Sequence, residues 1–256
     1  MSCTVAVAGK GGVGKTTICG LMIDWLCQND RGPILVVDAD ANSNLNEVLG
    51  VEVDTTLGDI REMIATADMV EKSPIPAGMS KKDFMDIKFN RALIEEDEFD
   101  MLVMGRTQGK GCYCFVNGLL QTELQRLSGN YRYVVVDNEA GMEHLSRGIL
   151  PSVDKMVLVS DCSRRGIQAV GRIAELVKEL NMKPDSVSLI VNRAPEGNLS
   201  QGVMEEIEKY GLNLVGVVPQ DDEVYEYDCE GKPTVQLPAG SKARKAVEEI
   251  ACKLFK

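Results

Sequence analysis

The sequence predicts an open α/β fold, in which a mostly parallel sheet is covered by helices on both faces. Three observations support this prediction. The apolar segments are short continuous runs, as expected for strands that are buried on both faces. Stretches with helical spacing separate most of these runs. The glycine-rich segment GKGGVGKTT follows the first run directly and leads into the first helical stretch.

Seven strands are predicted, and each is a run rich in Val, Ile or Leu. They are TVAVAG at 4–9, ILVVDAD at 34–40, FDMLVMG at 99–105, YRYVVVDNE at 131–139, KMVLVS at 155–160, VSLIVNR at 187–193 and NLVGVVP at 213–219. Helical spacing of apolar residues is clearest over 16–27, 167–180 and 247–254. We expect one P-loop domain over residues 1–256, because open α/β sheets often reach this length undivided.

Residues 71–98 interrupt the alternation of strands and helices. The segment EKSPIPAGMSKKDF contains two prolines and a glycine, and the acidic run EEDEFD follows it. We expect a solvated surface insertion here rather than a dedicated binding element.

Composition narrows the classes of partner and location. The formal net charge of −11 gives no support to nonspecific binding of nucleic acid or of anionic membranes. The N-terminal segment lacks the pattern of a signal peptide, and no apolar run approaches the ~20 residues of a membrane helix. We therefore expect a cytoplasmic protein whose cysteines are mostly reduced thiols.

The segment from Gly9 to Thr17 matches the phosphate-binding motif G-x-x-x-x-G-K-[ST]. Its glycines allow backbone N–H groups to turn toward phosphates, and the following helix adds its positive N-terminus. Lys15 is expected to reach the β- and γ-phosphates of ATP, and Thr16 to bind Mg²⁺. The predicted nucleotide-binding residues of this loop are Gly9, Gly11, Gly12, Val13, Gly14, Lys15, Thr16 and Thr17.

The loop contains a second lysine, Lys10. In this it resembles the deviant Walker A motif of a class of ATPases that includes partition proteins, septum-positioning proteins and the nitrogenase iron protein. The resemblance implies that Lys10 contacts the nucleotide of a partner subunit in a homodimer. Lys10 and Lys15 are then both catalytic.

Three further segments resemble this ATPase class. The resemblance assigns Asp40 to positioning the attacking water, whereas Asp38 supports the Mg²⁺ water shell or caps its loop. Asp137 resembles a Walker B aspartate that leads into a switch reaching Gly141. The pair Asn192 and Arg193, together with the segment that begins at Pro219, resembles the purine-contacting segments. The predicted nucleotide-binding set therefore also includes Asp38, Asp137, Asn192, Arg193 and Pro219.

The segment GKGCYCFVNG places Cys112 and Cys114 within a predicted metal-binding loop near 105–118. In an extended segment, residues two apart point to the same face, so both sulfurs can approach one ion. A tetrahedral thiolate site takes four ligands, and a homodimer supplies two such pairs. The lone histidine, His144, does not complete the set within one chain. We expect Ni²⁺ or Zn²⁺ to bridge two subunits here, because such a site accepts both.

GKGGVGKTT, GCYC and DNEAGMEHLSRG together resemble the CooC-type accessory ATPases. The resemblance covers nearly the whole chain, and Glu139 replaces the proline that is common in the wider class. It implies ATP-dependent insertion of nickel into a client enzyme, carbon monoxide dehydrogenase or acetyl-CoA synthase. An iron–sulfur carrier or reductase that resembles the nitrogenase iron protein is the alternative. A partition or septum-positioning ATPase is less favoured, because the chain is acidic and the apolar positions of its last helix suit core packing.

Overall fold

The computed structural model contains an eight-stranded sheet in the order β3-β4-β2-β5-β1-β6-β7-β8. It describes residues 2–69, 75–76, 78–106, 114–140, 150 and 152–256. Neighbouring strands are parallel throughout, except that β3 runs antiparallel to β4. The strands are β1 Cys3–Gly9, β2 Ile34–Ala39, β3 Leu93–Glu95, β4 Asp100–Val103, β5 Tyr133–Asn138, β6 Lys155–Asp161, β7 Ser186–Ala194 and β8 Leu214–Pro219. The predicted fold class and all seven predicted strands are confirmed.

Helices connect most of the parallel strands. They are α1 Lys15–Gln28, α2 Leu45–Leu49, α3 Leu57–Met69, α4 Lys81–Ala92, α5 Cys114–Leu127, α6 Arg164–Glu179, α7 Gln201–Lys209, α8 Asp222–Cys229 and α9 Lys242–Leu254. Within the part of the chain that the structure describes, no helix is long and apolar enough to cross a membrane.

The sheet is buried on both faces, and alternate residues of its strands enter two separate cores. Val5 and Val7 of β1 belong to the core on the α1 and α9 side, whereas Ala6 and Ala8 belong to the core formed with α3, α5 and α6. This accounts for the continuous apolar runs of the sequence, because neither face of a central strand meets water.

The segment at 71–98 differs from the solvated insertion that the sequence predicted. Its described part forms α4 and the short strand β3, and Phe89 and Ala92 are buried in the core beside α3 and α5. The Ser80 hydroxyl caps α4 by accepting from the Asp83 backbone N–H. The acidic run then turns the chain back, so that β3 pairs with β4 as the antiparallel edge of the sheet.

Candidate nucleotide-binding site

The candidate site lies at the carboxyl ends of β1, β2 and β5, which are neighbours in the sheet. In the strand register Asp137 of β5 is paired with both Val7 of β1 and Asp38 of β2. The loop that follows β1 leads into α1, and the loop that follows β2 contains Asp40. Ligands of open α/β sheets bind at this edge, in the crevice beyond the strand ends.

The backbone of the loop between β1 and α1 requires glycine at several positions. A Cβ on Gly9 would lie 2.2 Å from the Val159 carbonyl oxygen of β6, so the loop leaves the sheet in close contact with its neighbour. Gly12 and Gly14 have φ values of +77° and +87°, in the left-handed region that favours glycine. These conformations turn the chain between the end of β1 and the start of α1.

The first turn of α1 is arranged as an anion site. Gly14 precedes the helix, and no side chain caps the helix at this position. The first N–H groups of a helix have no partner within the helix, and they carry the positive end of its dipole. Lys15 is buried at the start of α1, whereas Lys10 is exposed on the loop. The arrangement suits a phosphate chain that is held by backbone N–H groups and by the Lys15 ammonium.

Asp137 is 2% exposed at the end of β5, and burial raises its pKa to about 7. A hydrogen bond with the Thr16 side chain lowers this pKa, and the neighbouring Asp38 carboxylate raises it. Its Oδ1 atom is buried and has no hydrogen-bond partner. An unpartnered buried carboxylate oxygen beside a threonine hydroxyl is a donor set that fits Mg²⁺, which prefers oxygen ligands.

Asp38 is fully buried, and both of its carboxylate oxygens are used within its own loop. Oδ1 accepts from the Asp40 backbone N–H and Oδ2 from the Leu45 backbone N–H, each at 3.0 Å. Burial raises the pKa of Asp38 to about 6, and these backbone hydrogen bonds act in the opposite direction. These contacts are those of a loop cap, which is one of the two roles that the sequence left open; support of the Mg²⁺ water shell stays a prediction.

Asp40 lies on the capped loop and is half-buried. Its Oδ1 accepts from the Asn42 backbone N–H at 2.8 Å, which fixes the direction of the carboxylate. The same loop is tied to the end of β4, since the Gly105 N–H donates to the Ser43 hydroxyl and Arg106 donates to the Asn42 side chain. The loop that presents Asp40 is therefore held from both ends.

Sequence reasoning missed Asn138, which follows Asp137 at the end of β5. The side chain is buried, and its Nδ2 donates to the Val7 carbonyl oxygen of β1 at 3.0 Å. The Asn138 Oδ1 is buried without a partner. The amide thus fixes the end of β5 to β1 immediately before the segment that the sequence interpreted as a switch. A polar residue at the end of a buried strand was the available signal.

Asn192 and Arg193 lie at the end of β7 and contact the loop between β1 and α1. Asn192 Nδ2 donates to the Val13 carbonyl oxygen at 2.9 Å, and Arg193 Nη1 donates to the Gly12 carbonyl oxygen at 3.0 Å. Pro219 ends the neighbouring strand β8. The structure therefore brings the two residues that were predicted to contact the purine to the phosphate loop.

The predicted metal ligands are only partly described. Cys112 lies outside the described residues, as do Gly141 and His144. Cys114 is the first residue of α5, so its backbone is helical and not extended as the sequence reasoning assumed. The described residues contain no group of three or more His, Cys, Asp or Glu side chains that could hold a metal ion. The other six cysteines are free thiols, and Cys229 and Cys252 are exposed.

A glycine-rich phosphate loop between a buried parallel strand and a helix, with an aspartate at the end of a neighbouring strand, defines a P-loop nucleotide-binding protein. The chain belongs to the CobQ/CobB/MinD/ParA nucleotide binding domain family, whose model matches residues 4–235. It is thus an ATP-binding domain of the MinD/ParA class of P-loop ATPases.

Comparisons with individual proteins agree with this assignment. The chain is 44% identical over 252 residues to an uncharacterized ATP-binding protein of Methanocaldococcus jannaschii, covering 98% of each chain. It is 27% identical over 239 residues to the carbon monoxide dehydrogenase accessory protein CooC of Rhodospirillum rubrum, covering 89% of this chain and 87% of that protein. Among solved structures, the septum site-determining protein MinD of Pyrococcus horikoshii with Mg-ADP has a TM-score of 0.74 at 21% identity, covering 100% and 97%.

Proposed function

We propose that this protein is an ATP-hydrolysing dimer switch that delivers nickel to a client enzyme. The observation that carries the ATPase part is the Oδ1 atom of Asp137, which is buried, has no hydrogen-bond partner and lies beside Thr16. Thr16 is in the first turn of α1, and no side chain caps the start of that helix. A bound Mg²⁺ would supply charge neutralisation at the phosphates of ATP. Thr16 and Asp137 are the residues that would hold this ion and its water shell.

The remaining site residues have separate roles in phosphoryl transfer. The backbone N–H groups of residues 9–17 and the Lys15 ammonium bind the phosphates, while Asp40 orients the attacking water. Phosphoryl transfer depends chiefly on such positioning and on charge stabilisation. Lys10 is exposed on the loop, where it can contact the nucleotide of a second subunit. Pro219, at the end of β8, borders the purine.

The cargo part of the proposal depends on Cys112 and Cys114. Two chains supply four thiolates, and a divalent metal bound between them would be captured when ATP closes the dimer. Hydrolysis then has to weaken metal binding, which requires the metal to prefer one state of the dimer. The similarity to the carbon monoxide dehydrogenase accessory protein CooC supports nickel as the metal, and carbon monoxide dehydrogenase or acetyl-CoA synthase as the client.

A septum-positioning function is the second candidate, since the fold matches MinD along its whole length. Such a function would favour an apolar helix face that is available for a membrane surface. The apolar face of α9 is instead buried against α1 and β8 through Val247, Ile250 and Leu254. This observation favours the metal-delivery proposal.

Metal analysis combined with gel filtration tests the proposal. Reduced protein is incubated with Ni²⁺ or Zn²⁺, with and without Mg·ATP, and compared with C112A/C114A and with C229A/C252A. The last variant is a matched control, because it removes two exposed thiols elsewhere. We expect one metal ion per two chains in the wild type and the control, and none in C112A/C114A, which still binds ATP.

Three results would contradict the proposal in different ways. Metal binding that persists in C112A/C114A would remove the cysteine pair as the site. Iron and inorganic sulfide at the pair would replace nickel delivery with the iron–sulfur carrier. A wild-type chain that forms an ATP-dependent dimer without binding metal would leave the ATPase part in place and overturn the cargo part.

A further inference from the structure

The end of β7 has an irregular backbone where it passes the phosphate loop. Val191 is paired with Val217 of β8, but the next pair joins Ala194 to Pro219, so β7 contains one extra residue. Arg193 has a φ of +56°, in the left-handed region that non-glycine residues rarely occupy. Bulges of this kind commonly redirect side chains beside functional sites.

The bulge allows two consecutive side chains to reach the same loop. In a regular strand, successive side chains point to opposite faces of the sheet. Here Asn192 donates to the Val13 carbonyl oxygen at 2.9 Å and Arg193 donates to the Gly12 carbonyl oxygen at 3.0 Å. A strained residue whose neighbour and side chain both contact a functional loop indicates a positioning role.

Both polar atoms of the Asn192 amide take part in these contacts. The side chain is 6% exposed, its Nδ2 is bound to Val13, and its Oδ1 accepts from the Arg193 backbone N–H at 2.9 Å. A Cβ on Gly14 would lie 2.4 Å from Nδ2, so the amide also packs directly over the last glycine of the loop. These contacts fix the orientation of the Asn192 amide toward the loop between β1 and α1.

We propose that Asn192 and Arg193 form a clamp that holds the phosphate loop in its binding conformation, and that they act on the phosphates through the loop. The inference rests on the proposed nucleotide binding. When carbonyl oxygens are held on the outer side of such a loop, its N–H groups are directed inward. Gly12 and Gly14 give the loop many alternative conformations, so fixing two carbonyl groups reduces the entropy lost on binding.

The clamp and a purine contact make opposite predictions for a ligand without a base. Binding of Mg·ATP, Mg·GTP and Mg·tripolyphosphate is measured by calorimetry for the wild type, N192A and R193G. Glycine accepts the left-handed φ at position 193, so R193G removes the guanidinium without adding strain. The matched control is N181G, which removes a side chain at a φ of +53° in the turn after α6.

The clamp predicts that R193G and N192A each bind all three ligands roughly tenfold more weakly, with an unchanged preference between ATP and GTP. N181G binds them as the wild type does. The clamp also predicts faster hydrogen exchange of the backbone amides of residues 10–14 in R193G measured without ligand. Tripolyphosphate binding that is unchanged while ATP binding falls would establish a purine contact and overturn the clamp.

Unchanged binding of all three ligands in both variants would overturn the clamp while leaving the proposed function intact. A wild-type protein that binds no Mg·ATP would instead overturn the proposed function, and the clamp with it. The two failures are therefore distinguishable in one experiment.

Discussion

Replacing Asp137 by Asn should stabilise the nucleotide-free protein while it removes Mg·ATP binding. Asp137 is buried with one oxygen unpartnered and lies beside Asp38 in the strand register. Its pKa rises from 3.8 to about 7, chiefly because burial disfavours the charged form. At ~1.36 kcal/mol per pKa unit, keeping this group ionised in the folded state costs up to about 4 kcal/mol above pH 7.

The amide that D137N introduces would recover only part of that cost. Its oxygen can accept from the Thr16 hydroxyl, but its NH₂ group then occupies the place of the unpartnered oxygen and needs a partner of its own. We therefore expect D137N to raise the free energy of unfolding by roughly 1–3 kcal/mol at pH 8. The substitution should abolish the increase in melting temperature that Mg·ATP gives the wild type.

The pH dependence of the stability difference tests whether the charge of Asp137 causes it. The unfolded carboxyl releases its proton near pH 4 and the folded one near pH 7, so the folded state binds more protons between these values. The stability of the wild type therefore rises as the pH falls from 7 toward 4, and the advantage of D137N shrinks over the same window. Urea denaturation at pH 8 and pH 5 measures both effects.

The control D97N removes a charge at an exposed position, and it should change stability by less than ~0.5 kcal/mol at either pH. A D137N protein that is less stable than the wild type at pH 8, or an advantage that is equal at both pH values, would refute the reasoning. Either result would mean that the charge of Asp137 is compensated within the folded chain.

Three further substitutions test other parts of the site and the fold. G14A should weaken Mg·ATP binding at least ~10-fold by calorimetry, because its Cβ meets the Asn192 amide and its φ is strained; binding within twofold of the wild type would contradict this. D40N should slow phosphate release at least ~100-fold and leave ATP affinity within about twofold, since Asn can still accept from the Asn42 N–H; an unimpaired rate would remove Asp40 from the mechanism. F89A should lower the free energy of unfolding, measured in urea, by about 3–5 kcal/mol, because Phe89 is buried in the core. A loss below ~1 kcal/mol would contradict the packing of the 71–98 segment into the core and favour a solvated insertion.

The strands could be predicted because each of the seven is a continuous apolar run, and the phosphate loop because its motif stands between such a run and a helix. The strand β3 was missed for a physical reason. It has three residues, and it is defined by antiparallel pairing with β4 rather than by an apolar run of its own. Long-range pairing of this kind has no local signature.

The site residues show the same division between local and long-range information. The loop glycines could be identified locally, because they belong to one contiguous motif that ends at Lys15 and Thr16. Asn138 and the contacts of Arg193 depend on carbonyl groups that are distant in sequence, the Val7 oxygen and the Gly12 oxygen. The capping contact of Asp38 likewise depends on how its loop folds, because the Leu45 N–H that donates to its carboxylate is seven residues away.

Strained backbone in the described part of the chain falls into two groups. Asp30 and Asn181 have positive φ values in the turns just after α1 and α6, where helices commonly end in this conformation. Ser43, Arg193 and Glu196 also have positive φ values, but they do not follow a helix. Each of these three lies at or beyond the carboxyl end of a strand, which is the edge of the sheet that contains the candidate site.

Unpaired buried oxygens at the same edge argue that it is shaped for ligand binding rather than for stability. The unpartnered oxygens of Asp137 and Asn138 lie at the end of β5. A fold that needed only to be stable would not place strained backbone and unpaired buried oxygens together, because each lowers stability by about 1–3 kcal/mol. Ligand binding at this edge can offset that cost, and for this reason the removal of the Asp137 charge is expected to separate stability from function.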